Sequence, residues 1–404
     1  MNKLNDKRKI NLYVFLFSLT YMVSYITRIN YGAVVSELQT ATGFSKSLLS
    51  MALTGSSVTY GIGQVVSGVL GDRISPKKLV SLGLIFTSFM NFLIPLCKGP
   101  YEMFVVWSIN GFAQSFMWPP IVKIMSSVLS LEDYNNGITK VSWGSSIGTI
   151  IVYLISPLLI HRYSWKTVFF FSSFVGLIMI FLWNKYASDV QIIKENKKET
   201  VKGKSKNILF VPVMIFLMIA IIFLGMLRDG ATTWMPSYIS ETYNLNNEIS
   251  ILVTVILPVF SILSYYVATK LYTTRLNNPM LCGGMFFMIG TVSAIGLSFF
   301  ASENAIISTI LFATLIGSMH GANLILICML PRFFNKTGKV STVSGVLNSC
   351  VYIGSAVSTY GVARLSETFG WNATISVWQI IALSGTLICL FLIKPWQKYK
   401  NTLV

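Results

Sequence analysis

The stretch VVSGVLGDRISPKKLVSLGLIF, residues 65–86, indicates the fold of this chain more directly than any other segment. Two apolar runs flank a short segment that carries one acidic and three basic residues. A helix of about 20 apolar residues can cross a lipid bilayer, whereas charged residues stay in water. The stretch therefore predicts the end of one membrane span, a short loop and the beginning of the next span.

The same alternation continues along the 404 residues and predicts twelve spans. They cover residues 11–36, 47–71, 78–97, 101–130, 137–160, 166–186, 208–238, 247–271, 280–300, 304–331, 340–366 and 372–394. The composition agrees, because 53% of the residues are hydrophobic and 11% are charged, against about 25% charged in soluble proteins. It excludes a soluble enzyme and a disordered chain. The predicted fold class is an all-α membrane protein.

The polar segment 188–207 is the one sizeable linker in the pattern, and it divides the spans into two sets of six. We therefore predict an N-terminal six-helix bundle at 1–187, a cytoplasmic linker at 188–207 and a C-terminal six-helix bundle at 208–404. Weak correspondences at an offset of about 200 residues, such as Arg28 with Arg228, favour two pseudo-symmetric halves related by duplication.

Most of the net charge of +17 lies in the loops that the predicted topology places on the inner side of the membrane. With the N-terminus inside, 22 of the 31 Lys and Arg residues lie in inner segments and five in outer segments. This asymmetry obeys the positive-inside rule and predicts a multi-pass protein of the cytoplasmic membrane with both termini in the cytoplasm. The basic inner loops are expected to contact anionic lipids, and no nucleic-acid partner is expected.

After the residues assigned to the inner and outer segments are set aside, five charged residues remain inside predicted spans: Arg28, Lys123, Lys140, Arg228 and Asp229. A charge at the bilayer centre costs about 2.5–3.5 kcal/mol, so each must face the protein interior or water. The side chains of Lys123 and Lys140 are long enough to reach the nearby inner membrane interface, as an alternative to facing the protein interior. The two arginines lie deep in corresponding spans, which favours a receptor for an oxyanion over a structural pair, because a guanidinium donates bidentate hydrogen bonds. Asp229 projects about 100° from Arg228 and either pairs with another helix or titrates.

Other polar residues accompany the arginines. Tyr21 and Tyr25 precede Arg28 by seven and three residues, so all three share one helical face. Further donors for an anion, or alternatively hydrogen bonds that tie helices together, are expected from Asn110, Gln114, His320 and Asn323.

The chain lacks the short motifs of ATP-driven pumps, zinc proteases and serine hydrolases. Its five cysteines form no CxxC pair, and it has only two histidines. We therefore expect no enzymatic activity, no metal and no cofactor.

Several segments resemble a known family. Residues 68–78, GVLGDRISPKK, are similar to the GxLxDRxGR loop of the major facilitator superfamily, with Ser75 and Pro76 in place of a glycine and a basic residue. Three further segments resemble the organophosphate:phosphate antiporters, particularly the glycerol-3-phosphate transporters. They are the set Tyr21, Tyr25 and Arg28, the run NGFAQSFMWPP at 110–120 and the run LRDGATTWMPSY at 227–238.

The resemblance implies the twelve-helix major facilitator fold and transport by alternating access, with phosphate leaving as an organophosphate enters. It implies that Arg28 and Arg228 grip the phosphate. The other substrate-binding positions that we assign are Tyr21, Tyr25, Tyr60, Gln64, Lys123, Ser145, His320 and Tyr352. Gating or coupling roles are assigned to Asp72, Arg73 and Asp229. The protein is expected to act as a monomer.

Four positions depart from the glycerol-3-phosphate pattern. Ile29 replaces a lysine, Thr233 an acid, Gln64 a second lysine, and Ser145 or Ser146 a histidine. We therefore predict transport of a small organic anion, with an organophosphate exchanged for inorganic phosphate as the preferred interpretation. The alternatives are a sugar sulfonate or sugar acid, coupled to protons or another cation, and a membrane sensor that binds such an anion without transporting it.

Overall fold

The computed structural model describes residues 4, 6–187, 208–244, 256–300 and 304–403. Every regular element within these ranges is a helix, which confirms the predicted all-α fold. The predicted linker at 188–207 and the first part of the predicted eighth span, 247–255, lie outside the described residues.

Thirteen α-helices follow one another in the described ranges. They are α1 Lys7–Thr42, α2 Lys46–Arg73, α3 Pro76–Leu93, α4 Pro100–Gln114, α5 Trp118–Val128, α6 Leu131–Arg162, α7 Trp165–Tyr186, α8 Pro212–Tyr243, α9 Ile256–Thr274, α10 Pro279–Phe300, α11 Ala305–Asn323, α12 Val340–Phe391 and α13 Ile393–Leu403. A π-helical segment, Leu324–Met329, and a 3-10 segment, Leu330–Thr337, follow α11 directly.

The charged loop predicted within residues 65–86 forms between α2 and α3. Helix α2 ends at Arg73 and α3 begins at Pro76. The Ser75 side chain accepts a hydrogen bond from the backbone N–H of Lys78, and Pro76 occupies the first turn, where a backbone N–H has no helical partner. The local sequence therefore specifies both the end of one helix and the beginning of the next.

Three predicted spans differ from the observed helices in their continuity. The predicted fourth span is two helices, because α4 ends at Gln114 and α5 begins with Trp118 followed by two prolines. The predicted eleventh and twelfth spans run together as α12, which is interrupted at Gly370. Gly370 has φ 78°, a backbone angle that glycine adopts without steric cost, so this single residue separates the two apolar runs.

Nine segments within the described residues are long and apolar enough to cross a membrane. Their outward faces carry large apolar side chains, with exposed fractions of 64% for Phe15, 69% for Leu158 and 65% for Ile380. Water would oppose such exposure, whereas lipid tails match it. The architecture is that of a multi-pass membrane protein.

The helices group into two compact units. The first contains the described residues up to Ala187 together with Gly338–Ser349, and the second contains Ile208–Thr337 and Cys350 onward, within the described ranges. The predicted C-terminal half, 208–404, includes the segment 338–349, but the Cα neighbours of this segment lie in the first unit. The segment 338–349 contacts α2 at Asp72 and α5 at Lys123.

Candidate functional site

The first unit places Arg28 of α1 on an aromatic platform. Its guanidinium carbon lies 4.2 Å from the ring centroid of Tyr25 and 4.8 Å from that of Tyr60 on α2. The Tyr21 ring lies 5.2 Å from Tyr25 and 4.7 Å from Trp118 of α5. The structure thus brings four predicted site residues together. The contact with Trp118 was not anticipated, although Trp118 belongs to the motif at 110–120.

A buried hydrogen-bond network fixes the turn of α1 that carries Arg28. The Thr27 carbonyl accepts from Nδ2 of Asn91 at 2.9 Å and from Nδ2 of Asn110 at 3.2 Å, and its hydroxyl accepts from Gln114 at 2.9 Å. Asn30 donates to Asn91 at 2.7 Å. All of these side chains are at most 2% exposed. Asn110 and Gln114 therefore position α1 by tying helices together, the alternative that the sequence left open.

In the second unit, the predicted site residue Arg228 of α8 forms hydrogen bonds with the next residue in sequence, Asp229. Arg228 donates from Nε to Oδ1 of Asp229 at 2.6 Å and from Nη2 to Oδ2 at 3.0 Å. Its Nη1 donates to Oδ1 of Asn323 on α11 at 2.9 Å. The sequence left the partner of Asp229 open between another helix and a proton. In the structure the two adjacent side chains turn toward each other, and Asp229 pairs with Arg228.

Helix α11 contributes a second predicted residue one turn before Asn323. The Nδ1 atom of His320 lies 2.9 Å from the hydroxyl of Tyr265 on α9, and the two rings meet edge to face. Tyr265 was missed by the sequence analysis, because a tyrosine in an apolar span has no local feature that identifies its partner. The pair holds the imidazole in a defined orientation beside the α11 residue that contacts Arg228.

The predicted gating residue Asp72 lies at a junction within the first unit. Its Oδ1 is 3.0 Å from Nζ of Lys123, and it accepts from the backbone N–H groups of Ser341 and Thr342 at 3.1 and 2.7 Å. Lys123 also donates to the Gly338 carbonyl at 3.0 Å. The acid caps the beginning of α12 and neutralises the lysine, which explains why 338–349 groups with the first unit. Contact between Lys123 and a substrate stays a prediction.

The remaining assigned residues occupy varied surroundings. Gln64 is fully buried, and its side-chain amide has no hydrogen-bond partner among the described residues. Ser145 is 6% exposed and donates to the Ser142 carbonyl within α6. Tyr352 is half-buried in α12, and Arg73 is exposed at the end of α2. Their predicted roles stay predictions.

Metal ligands are not clustered in the part of the chain that the structure describes: no three His, Cys, Asp or Glu side chains there are placed to hold an ion. The five cysteines are free thiols, four of them buried. The groups that surround the two arginines are carboxylate, amide and phenol groups, which supply hydrogen bonds and charge.

Comparisons with known proteins agree with this architecture. A sequence profile described as Major Facilitator Superfamily matches residues 17–359. The glycerol-3-phosphate transporter of Bacillus subtilis (strain 168) is 24% identical, over 98% of this chain and 94% of its own. A probable hexose phosphate transport protein of Chlamydia muridarum (strain MoPn / Nigg) is 22% identical, over 95% and 90%. The solved proton:xylose symporter XylE shares the fold, with a TM-score of 0.79 at 12% identity over 96% of each chain.

Proposed function

The chain belongs to the major facilitator superfamily and is therefore a multi-pass membrane protein of a transport family rather than an enzyme, and we propose that it moves a small organic anion across the cell membrane. The preferred substrate is an organophosphate, a sugar phosphate or glycerol phosphate, exchanged for inorganic phosphate by alternating access. Both termini are proposed to lie in the cytoplasm, because the predicted inner loops carry most of the lysine and arginine.

One observation carries this proposal: each unit holds an arginine deep in a helix within a polar and aromatic setting. The guanidinium carbon of Arg28 lies over the rings of Tyr25 and Tyr60, so cation–π attraction helps to hold the charge in place. Arg228 already binds a carboxylate in a bidentate manner, which is the mode by which guanidinium recognises oxyanions. We propose that both arginines contribute to binding the same anion.

The substrate class rests on the relatives. Proteins named for hexose phosphate transport and glycerol-3-phosphate transport align with at least 95% of this chain and cover at least 90% of their own length. Gln64 and Ser145 or Ser146 are neutral where the resembled family has a lysine and a histidine, which reduces the positive charge available to a phosphate. The changes at Ile29 and Thr233 offset each other, because one replaces a lysine and the other an acid. A sugar sulfonate or sugar acid is therefore the second candidate substrate.

Purified protein in phosphate-loaded liposomes provides the test. We expect uptake of labelled glucose 6-phosphate or glycerol 3-phosphate in exchange for internal phosphate. Arg28→Lys and Arg228→Lys should each reduce uptake at least 100-fold, because lysine keeps the charge but loses the planar fork, at a cost of roughly 3 kcal/mol. Arg162→Lys, at the exposed end of α6, is the matched control and should transport normally.

The outcomes separate the candidate functions. Normal uptake by either arginine variant would overturn the assignment of the site. Binding of the anion to the wild-type protein without flux would instead identify a membrane sensor. Uptake of a sulfonate or sugar acid, but of neither phosphate ester, would replace the substrate class and leave the two arginines in place.

A further inference from the structure

The ion pair between Arg228 and Asp229 changes the charge that an incoming anion meets in the second unit. Both carboxylate oxygens of Asp229 are engaged, on Nε and on Nη2 of the guanidinium. Nη1 is held by Asn323. At least three of the five N–H donors of Arg228 therefore already have acceptors. An oxyanion that binds Arg228 must share this guanidinium with Asp229 or take donors from it.

We propose that Asp229 is a specificity-determining residue: its charge offsets part of the attraction of Arg228, which reduces the advantage of a doubly charged ligand and brings singly charged oxyanions within the range that the site accepts. This inference rests on the proposed function and refines its substrate class. The class comprises a phosphate monoester that carries one proton, a sulfonate and a sugar carboxylate. Their shared chemistry is one negative charge spread over several oxygen atoms.

The physical reason is the linear dependence of Coulomb energy on ligand charge. A ligand in contact with the Arg228 guanidinium also lies within a few ångström of the Asp229 carboxylate, because Nε of Arg228 is only 2.6 Å from Oδ1 of Asp229. The attraction to Arg228 and the repulsion from Asp229 each double when the ligand charge doubles. Asp229 thus opposes a dianion twice as strongly as it opposes a monoanion.

The surroundings strengthen this effect without abolishing access. The side chains of Arg228 and Asp229 are 14% and 25% exposed, so water screens the pair less than at a protein surface while a ligand can still reach it. The neighbouring ionisable groups on α9 and α11 are Tyr265 and His320, which contact each other. Asp229 forms an ion pair with Arg228.

The test compares two ligands of different charge on purified protein at pH 8. Glucose 6-phosphate is a dianion there, because the second pKa of a phosphate monoester is about 6, and gluconate is a monoanion. Asp229→Asn keeps the side-chain shape and removes the charge. If it tightens gluconate binding about tenfold, it should tighten glucose 6-phosphate binding about 100-fold, because the energies scale with ligand charge. Isothermal titration measures both dissociation constants.

Two further variants control for folding and for net charge. Glu241→Gln removes one negative charge from the same helix, where Glu241 accepts a hydrogen bond from Trp371, and should change neither dissociation constant more than twofold. Asp229→Ser provides a second uncharged side chain if the asparagine variant unfolds, and should show the same dependence on ligand charge. A melting curve establishes that each variant is folded.

Equal changes for the two ligands, or no change for either, would overturn the inference. A different result would overturn the proposed function: Arg228→Lys would bind and transport the anion as well as the wild-type protein does. If Arg228→Lys abolishes binding while Asp229→Asn has no effect dependent on ligand charge, the anion site stands and the role of Asp229 is wrong. If neither ligand binds to the wild-type protein or to Asp229→Asn, the inference is also overturned.

Discussion

Asp72→Asn tests how the beginning of α12 is held in the first unit. The carboxylate accepts from Nζ of Lys123 at 3.0 Å and from the backbone N–H groups of Ser341 and Thr342 at 3.1 and 2.7 Å. Those two amides belong to the first turn of the helix, where no carbonyl of the preceding turn is available to accept them. Asparagine retains one acceptor oxygen, so one amide contact survives while the charge and the second contact are lost.

The magnitude follows from the burial of the group. The Asp72 side chain is 9% exposed and that of Lys123 is 16% exposed, so screening by water is limited. A carboxylate at a partly buried helix N-terminus contributes up to about 2 kcal/mol, and a hydrogen bond to a charged group about 1.5–3 kcal/mol. These contributions overlap, and we expect a loss of about 2–4 kcal/mol. The equilibrium for detaching the first turn of α12 should then rise about 30- to 700-fold.

Hydrogen exchange measured by mass spectrometry on peptides from residues 338–349 reports this equilibrium, because amide protection reflects the free energy of local opening. Asp133→Asn is the matched control: Asp133 lies in the first turn of α6 and accepts from Ser130. It removes the same charge and should leave exchange in 338–349 unaltered. A change of less than threefold for Asp72→Asn, or an equal change for the control, would refute the argument.

Three other substitutions test the platform and its supports. Asn91→Leu removes three buried hydrogen bonds, worth about 0.6 kcal/mol each in membrane proteins. It should lower Tm by about 2–4 °C in a thermal unfolding assay, and an unchanged Tm would contradict the network. Gly111→Ala places a Cβ against the backbone carbonyl of Ser56 in α2 and should destabilise the protein by about 1–3 kcal/mol. Gly99→Ala, whose Cβ meets nothing within 4 Å, should not. Tyr60→Leu removes one ring from the Arg28 platform and should weaken anion binding, measured by titration, about 2- to 30-fold. If the variant binds the anion with the affinity of the wild-type protein, the Tyr60 ring does not contribute to the site.

Much of the candidate site could be predicted because charge inside an apolar span is conspicuous. Arg28 stands out against its span, and helical periodicity alone places Tyr21 and Tyr25 on its face. The partners of these residues from other helices carry no such local signal. Tyr265 and Asn91 became recognisable only when the packing of their helices brought them to His320 and to the Thr27 carbonyl.

Lys123 shows the limit of reasoning from sequence most clearly. Its position a few residues after two prolines permits either contact with a substrate or an approach to the inner interface. The structure pairs it with Asp72 and with the Gly338 carbonyl, which is 215 residues away along the chain. A long flexible side chain reaches many places, and only the arrangement of the surrounding helices selects among them.

The sequence by itself determined that this chain is helical, that it spans a membrane repeatedly, and which few charges remain in the spans. These properties follow from hydrophobic run length, helix caps and charge distribution, all of which act over a few residues. The structure decided the partners of those charges: Asp229 for Arg228, Asp72 for Lys123, and for Arg28 the ring of Tyr60 from a second helix. The reason is physical, because a charge in an apolar medium must find a partner, and helix packing determines which partners lie within reach.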